Sequence, residues 1–186
     1  EPNHEIRDSS LKLLKKIGII DNKTNDLSDV GKIAGKFSIV SPFLALATAK
    51  FVEKPEFGFL VSLIIERSVE LVENNQSQLL YDHFEPESDV VTLIESILAL
   101  NVDGENHLID ENDVEVDDSG LSIGTLYSIY TSMSNAFEKR EKDEGRKLTI
   151  QAIQWAHTQP GGTLGMVDKY VNLLDKENFL DLRRSS

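Results

Sequence analysis

The sequence predicts a mainly α-helical protein, with a minimal β step near its N-terminus and a multi-helix bundle behind it. Three observations support this prediction. Apolar residues recur every three or four positions in most segments, the spacing that places them on one face of a helix. A short apolar pair, Ile19 and Ile20, precedes a run of turn-forming residues at 21–26. The C-terminal part lacks the strict apolar–polar alternation of a half-buried strand.

The first helix is expected from about Ile6 to Ile17. Its inward face holds Leu11, Leu14 and Ile17. Its outward face holds Lys12, Lys15 and Lys16. These lysines form either a solvated helix face or a small phosphate-binding patch. Gly18 ends the helix, because glycine is free to take the left-handed conformation that follows many helices.

Two serines mark the starts of the next two helices. Ser28 is placed to cap a short helix with Val30, Ile33 and Ala34 on one side. Ser41 and Pro42 repeat the signal, since proline is favoured at the first helical position. The second of these helices, up to Val52, should bury Leu44, Ala47 and Phe51, and its Thr48 hydroxyl can bond a carbonyl one turn earlier. Residues 1–54 therefore form the first predicted unit.

The helix from Glu56 to Glu73 is expected to be the most buried. Residues 57–65 are apolar nearly all round it, which is typical of a central helix. Lys54 ends the preceding helix, because a residue before proline is disfavoured in the helical conformation. We therefore place a boundary near Lys54 and assign residues 55–145 to a helical bundle.

The bundle is expected to contain an acidic insert. Ser88 should cap a helix whose apolar stripe is Val91, Ile94, Ile97 and Leu98. Residues 101–119 follow, with eight acidic residues and no Lys or Arg. This insert is either a disordered loop or a cation site. Its alternating acids Asp113, Glu115 and Asp117 resemble calcium ligands, but no glycine stands at the turn position of such a loop and no glutamate closes its 12 residues.

A further helix is predicted from Ser122 to about Lys139. Its apolar stripe is Leu126, Ile129, Tyr130, Met133 and Phe137. Its polar side is Thr125, Ser128, Thr131, Ser132 and Asn135. Residues 139–147 hold five basic residues against three acidic ones, which indicates a solvated turn or a phosphate site. Two last helices, separated by a break at 159–162, make residues 146–186 a C-terminal helical extension.

Charge is distributed unevenly along the chain. The formal net charge is −13, and half of the 32 acidic residues lie between Arg67 and Lys139, where there is no Lys or Arg. Nucleic acid binding needs cations, so any such contact must be local. The absence of cysteine excludes disulfides and zinc–thiolate sites. Without a basic-then-apolar leader or a long apolar run, we expect an intracellular protein, nuclear or cytoplasmic, with no membrane contact.

Catalytic motifs are missing from the sequence. A phosphate loop needs G-x-x-x-x-G-K-[ST], but Gly35 and Lys36 are followed by Phe37, and Val30 stands at the first glycine position. No D-E-x-H box or H-E-x-x-H metal pair occurs. We therefore expect no catalytic residue, no metal site and no cofactor in this chain. The sequence leaves open whether the chain belongs to an enzyme.

The order of several short segments resembles the helicase-associated region of DEAH/DExH-type superfamily 2 RNA helicases. In that family a leucine-rich helix leads into LGAID, LT-x-LG, FPLDP and a helix ending near FG, and later into SDHLTLL. The corresponding segments here are KIGIID at 16–21, LSDVG at 27–31, FSIVSP at 37–42, FG at 57–58 and SDVVTLI at 88–94. The resemblance covers about residues 11–137 and says nothing of the remainder, where the family continues into an oligonucleotide-binding barrel.

The resemblance implies a winged-helix unit over 1–54 and a ratchet-type bundle over 55–145. It implies the non-catalytic C-terminal part of an ATP-dependent RNA helicase, which walls the RNA channel and couples motion of the ATPase lobes to strand translocation. Those lobes would be its partners and would bind ATP and Mg. Single-stranded RNA would be contacted weakly through Thr125, Ser128, Ser132, Asn135, Lys139, Arg140 and Lys142.

The sequence departs from the family at one place, and it also allows a second interpretation. The family usually has Arg and Gln near the end of the helix, where this chain has SNAF at 134–137, and that departure weakens the expected RNA contact. The alternative is a free-standing winged-helix and helical-bundle interaction module, which binds protein through its acidic segment.

Overall fold

The computed structural model describes residues 4–68, 85–102, 121–139 and 142–174. These residues form eight α-helices. They are α1 (His4–Lys16), α2 (Asp29–Ala34), α3 (Pro42–Lys50), α4 (Pro55–Glu66), α5 (Pro86–Val102), α6 (Ile123–Ala136), α7 (Lys142–Thr158) and α8 (Gly162–Val171). A 3-10 turn, Gly35–Phe37, continues α2. None of the described residues lies in a strand, so the prediction of a mainly α protein is confirmed.

The connection between α1 and α2 is held by local hydrogen bonds. Gly18 has a φ of 90°, the left-handed conformation expected after α1. Ile20 and Leu27 form an isolated antiparallel bridge across the turn. The Ser28 hydroxyl accepts from the Gly31 N–H at 3.0 Å, which confirms the predicted cap. The β step is therefore one residue pair, and the winged-helix assignment stays a prediction.

Helix α4 is the centre of the described structure. It contacts α3, α5, α6, α7 and α8, and every residue from Phe57 to Ile65 is buried. This confirms the prediction that the most apolar helix is central. The buried apolar core continues from Ala34 in α2 to Val171 in α8. The predicted division into units at residues 54 and 145 stays a prediction.

Three hydroxyl groups meet inside this core. Thr48 donates to the Leu44 carbonyl at 2.9 Å, as predicted, and its hydroxyl lies 2.7 Å from that of Ser62. Ser62 is also hydrogen-bonded to the Tyr170 hydroxyl, which donates to the Leu44 carbonyl at 3.3 Å. Because Thr48, Ser62 and Tyr170 belong to α3, α4 and α8, the cluster fixes the positions of three helices against one another.

Several sequence expectations about the N-terminal helices are wrong. Leu11 is 39% exposed rather than buried, because the chain folds back at Leu14, whose carbonyl accepts from the N–H groups of residues 19 and 20. Leu11 lies almost a turn before that point. Ile33 is 47% exposed, because α2 is only six residues long and buries its Gly31 and Ala34 side instead. Helix α3 ends at Lys50, earlier than expected.

Other differences concern helix starts. Ser41 precedes α3 as predicted but makes no cap hydrogen bond, and its buried hydroxyl has no partner in the described part of the chain. Helix α5 begins at Pro86, so Ser88 lies inside it, and Asp89 accepts from the Glu85 N–H at 2.7 Å. Residues 142–147 lie in α7 rather than in a turn.

Two expectations concern other parts of the chain. Residues 103–119 of the acidic insert lie outside the described residues, as do residues 175–186 of the predicted extension. Within the described ranges no single helix is long and apolar enough to cross a membrane. One pair of segments, Asp29–Phe37 and Pro42–Lys50, is long and apolar enough when the two are taken together, but they are bent by 114° relative to each other.

Candidate functional site

The predicted nucleic-acid face lies on α6. The Ser122 hydroxyl accepts from the Thr125 N–H at 3.3 Å, so the helix begins as the sequence indicates. Leu126, Ile129, Tyr130 and Met133 are buried against the core. Their burial fixes the rotation of the helix and places Ser128, Ser132 and Asn135, at i, i+4 and i+7, along one stripe of its polar side.

Arg67 supplies a cation to this stripe. It caps the C-terminus of α4, and its backbone N–H donates to the Leu63 carbonyl. Its Nη1 donates to the Ser128 hydroxyl at 2.6 Å, and its Nη2 donates to the Ser132 hydroxyl at 3.2 Å. Both hydroxyls stand one turn apart on α6, so the planar guanidinium spans them as a fork. Arg67 is half-buried.

The structure brings together some of the predicted site residues and separates others. Ser128 and Asn135 are exposed, and Thr125 is half-buried. Ser132 is only 6% exposed, so its hydroxyl acts through Arg67 rather than as an open contact. Lys139 is exposed just beyond α6. Arg140 and the side chain of Lys142 lie outside the described residues.

The end of α6 is held in a defined conformation. Glu138 has a φ of 55°, and the Lys139 N–H donates to the Ser134 carbonyl at 2.9 Å. The Ser134 hydroxyl in turn donates to the Lys139 carbonyl at 3.0 Å. Lys139 therefore stands at the C-terminus of a helix, where a positive charge is favoured by the helix dipole.

The Arg67 guanidinium, hydrogen-bonded to two serine hydroxyls, can also bind an anion. Both side-chain acceptors of Arg67 in the described part of the chain are neutral hydroxyls rather than carboxylates. A phosphate oxygen makes shorter and stronger hydrogen bonds to a guanidinium than a neutral hydroxyl does. The arrangement can therefore exchange a hydroxyl for a phosphate without breaking an ion pair.

Acidic and histidine side chains of the described residues lie elsewhere on the bundle. No group of three or more His, Asp or Glu side chains among them could hold a metal ion. One acid–histidine–hydroxyl cluster does form, where Glu95 Oε1 accepts from His157 Nε2 and from the Thr163 hydroxyl, both at 2.8 Å. The threonine is bonded to the acid and not to the histidine, so the cluster ties α5, α7 and α8 together and holds no activated nucleophile.

Arg67 is not among the residues that the sequence predicts for the site. The residue is the last cation before the acidic stretch, which is a weak signal, and 61 positions separate it from Ser128. Only the packing of α4 on α6 brings the two together. Comparisons with protein-family models, curated proteins and solved structures give no match for this chain.

Proposed function

We propose that this chain is the helicase-associated, non-catalytic part of a DExH-type RNA helicase, with a winged-helix-like N-terminal unit and a ratchet-like bundle. The polar side of α6 would contact a single RNA strand. The order of the five segments that resemble this family supports the proposal, and so does the all-helical bundle around α4. The observation that carries it is the Arg67 fork on Ser128 and Ser132.

In the proposed mechanism, the polar side of α6 binds the RNA strand weakly and positions it while the strand moves. One guanidinium and a row of hydroxyl and amide groups can position a phosphate backbone, but they release few counterions and so contribute little affinity. The ATPase lobes of the proposed parent protein would supply tight binding, ATP, Mg and the motion.

The test is a nuclear magnetic resonance titration of the chain with a single-stranded uridine oligonucleotide. We expect fast-exchange shifts at the amides of Ser128, Asn135 and Arg67, with a Kd of about 10⁻⁴ M or weaker near physiological salt. Arg67→Gln, which can still bond the two hydroxyls but carries no charge, should weaken binding several-fold. Binding in the sub-micromolar range would contradict the proposal.

The matched control removes the same charge elsewhere. Lys12→Gln, on the exposed side of α1, should leave the affinity and the shifted residues unchanged. If Lys12→Gln weakens binding and Arg67→Gln does not, the contact lies on the basic face of α1 and the proposal fails. Thermal unfolding of both variants checks that neither change has disturbed the fold.

A further inference from the structure

A groove away from the α6 polar stripe opens where three segments meet. The 3-10 turn after α2 forms one side, the corner between α3 and α4 forms another, and the C-terminal end of α6 forms the third. Its volume is about 410 Å³. This volume lies within the roughly 300–1,000 Å³ of sites that enclose ligands.

The floor of the groove is apolar and firmly packed. Phe37 is 3% exposed, and its ring centroid lies 4.9 Å from that of Phe59 and 5.8 Å from that of Phe137. Phe137 is also in contact with Phe59, at 6.1 Å between centroids. Three interlocked rings resist collapse, so the groove is a feature of the packed core rather than of a loose surface.

The rim leaves large apolar side chains in water. Val52 is 78% exposed and Ile33 is 47% exposed, and both line the groove. Burial of these side chains against a partner would remove apolar surface from water, which favours binding. A contiguous apolar floor and rim with this exposure is typical of a surface that binds a partner.

Two opposite charges complete the lining. Lys36 lies in the 3-10 turn and Glu138 lies just past α6, and both are exposed. Neither side chain takes part in an ion pair with any residue that the structure describes. An occupant with a large apolar group and both an acid and a base would satisfy the floor, the rim and the two charges together.

We infer that this groove binds a short peptide segment of a partner protein, with one large apolar anchor residue flanked by an acidic and a basic side chain. The apolar anchor fills the space above Phe37 and against Val52, the acid pairs with Lys36, and the base pairs with Glu138. The inference does not depend on RNA binding, because none of the α6 stripe residues lines the groove.

The test selects binders from a phage-displayed library of random peptides on the immobilised chain. We expect an enriched motif with a large apolar residue between an acid and a base. Val52→Glu should weaken the selected peptides about tenfold or more, because it places a charge where the anchor is buried. The control Leu164→Glu, at an exposed apolar residue of α8 outside the groove, should leave binding unchanged.

Charge reversal makes the test specific to the lining. Selection on Lys36→Glu should replace the acid of the motif with a base, and selection on Glu138→Lys should replace its base with an acid. Peptides that bind equally well to Val52→Glu, or motifs unchanged by both reversals, would overturn the inference. Shifts at the amides of Ile33, Lys36 and Val52, which belong to other segments than α6, on addition of the uridine oligonucleotide would also overturn it, since the groove would then bind RNA.

Discussion

At the scale of single residues, the buried hydroxyls of the core define one set of tests. Thr48, Ser62 and Tyr170 share hydrogen bonds around the Leu44 carbonyl. The back-bond of Thr48 follows from its place on a helix and could be predicted. The partnership with Tyr170 could not, because it joins residues 108 positions apart and depends on how α8 packs.

Tyr170→Phe should lower the free energy of unfolding by about 1 kcal/mol. The ring stays and the core remains filled, so only the hydroxyl interactions are lost. The single Ser62 proton can then be donated to the Gly58 carbonyl, 2.9 Å away, so no buried donor is orphaned. Denaturant unfolding measures the effect, with Tyr127→Phe on α6 as the control for loss of a half-buried phenol. A loss above about 3 kcal/mol would mean that the cluster holds more of the fold than we argue.

The same hydroxyl should make stability depend on alkaline pH. Burial raises the pKa of Tyr170 above its ordinary value of 10, so the folded protein keeps this proton where the unfolded chain loses it. The unfolded state then binds fewer protons, and the free energy of unfolding falls as pH rises above about 10, by up to about 1.4 kcal/mol per pH unit. The difference between wild type and Tyr170→Phe, measured by denaturant unfolding at a series of pH values, should shrink over that range. A constant difference would contradict the buried, protonated state.

At the scale of helices, the close approach of α6 and α7 is the contact most sensitive to side-chain size. A Cβ atom on Gly145 would lie 1.9 Å from the Tyr130 carbonyl oxygen, a backbone atom that cannot move alone. Glycine at this position therefore sets the separation of the two helices. The sequence does not predict this contact, because residues 139–147 indicate a turn or a phosphate site rather than a helix.

Gly145→Ala should destabilise the fold by about 2 kcal/mol or more, since the two helix backbones must separate. Gly124→Ala is the matched control, because a Cβ there meets open space on α6. That control should stabilise by about 0.5–1 kcal/mol, since alanine is the better helix former. Both are measured by thermal unfolding. A neutral Gly145→Ala would contradict the tight packing of α6 on α7.

Two helix starts could be predicted from the sequence, and a third could not. Ser28 and Ser122 cap their helices as predicted, because a cap depends on residues within one turn. Ser88 does not cap α5, because the helix begins at Pro86. The Asp89 carboxylate, three residues after this proline, accepts from the Glu85 N–H instead. The rotation of α6 was predicted from its apolar stripe, but the burial of Ser132 depends on Arg67 and α4.

At the scale of the whole molecule, the distribution of charge decides how RNA could bind. The stretch between Arg67 and Lys139 holds half of the acidic residues and no Lys or Arg, so it offers a phosphate no permanent cation. Folding brings Arg67 from the edge of that stretch onto the α6 stripe. The sequence could predict the polar face, but not the cation, because that depends on which helix packs beside it.

If the chain binds RNA as proposed, the dependence of the affinity on salt should report the charge of Arg67. A plot of the logarithm of affinity against the logarithm of salt concentration has a negative slope. For single strands its magnitude is about 0.7 for each phosphate that the protein neutralises. Wild type should therefore show a shallow slope, and Arg67→Gln should reduce it by about 0.7. Titrations at several salt concentrations measure both values. An unchanged slope in Arg67→Gln would mean that Arg67 does not meet a phosphate.

The most direct measurement is a map of where RNA touches the protein. A uridine oligonucleotide that carries 4-thiouridine is crosslinked to the chain by long-wavelength light, and the crosslinked residues are identified by mass spectrometry. The account predicts crosslinks within 125–135 on α6 and at Arg67, and fewer of them in Arg67→Gln. Crosslinks confined to the lysines of α1, or to the basic residues 139–147, would contradict it.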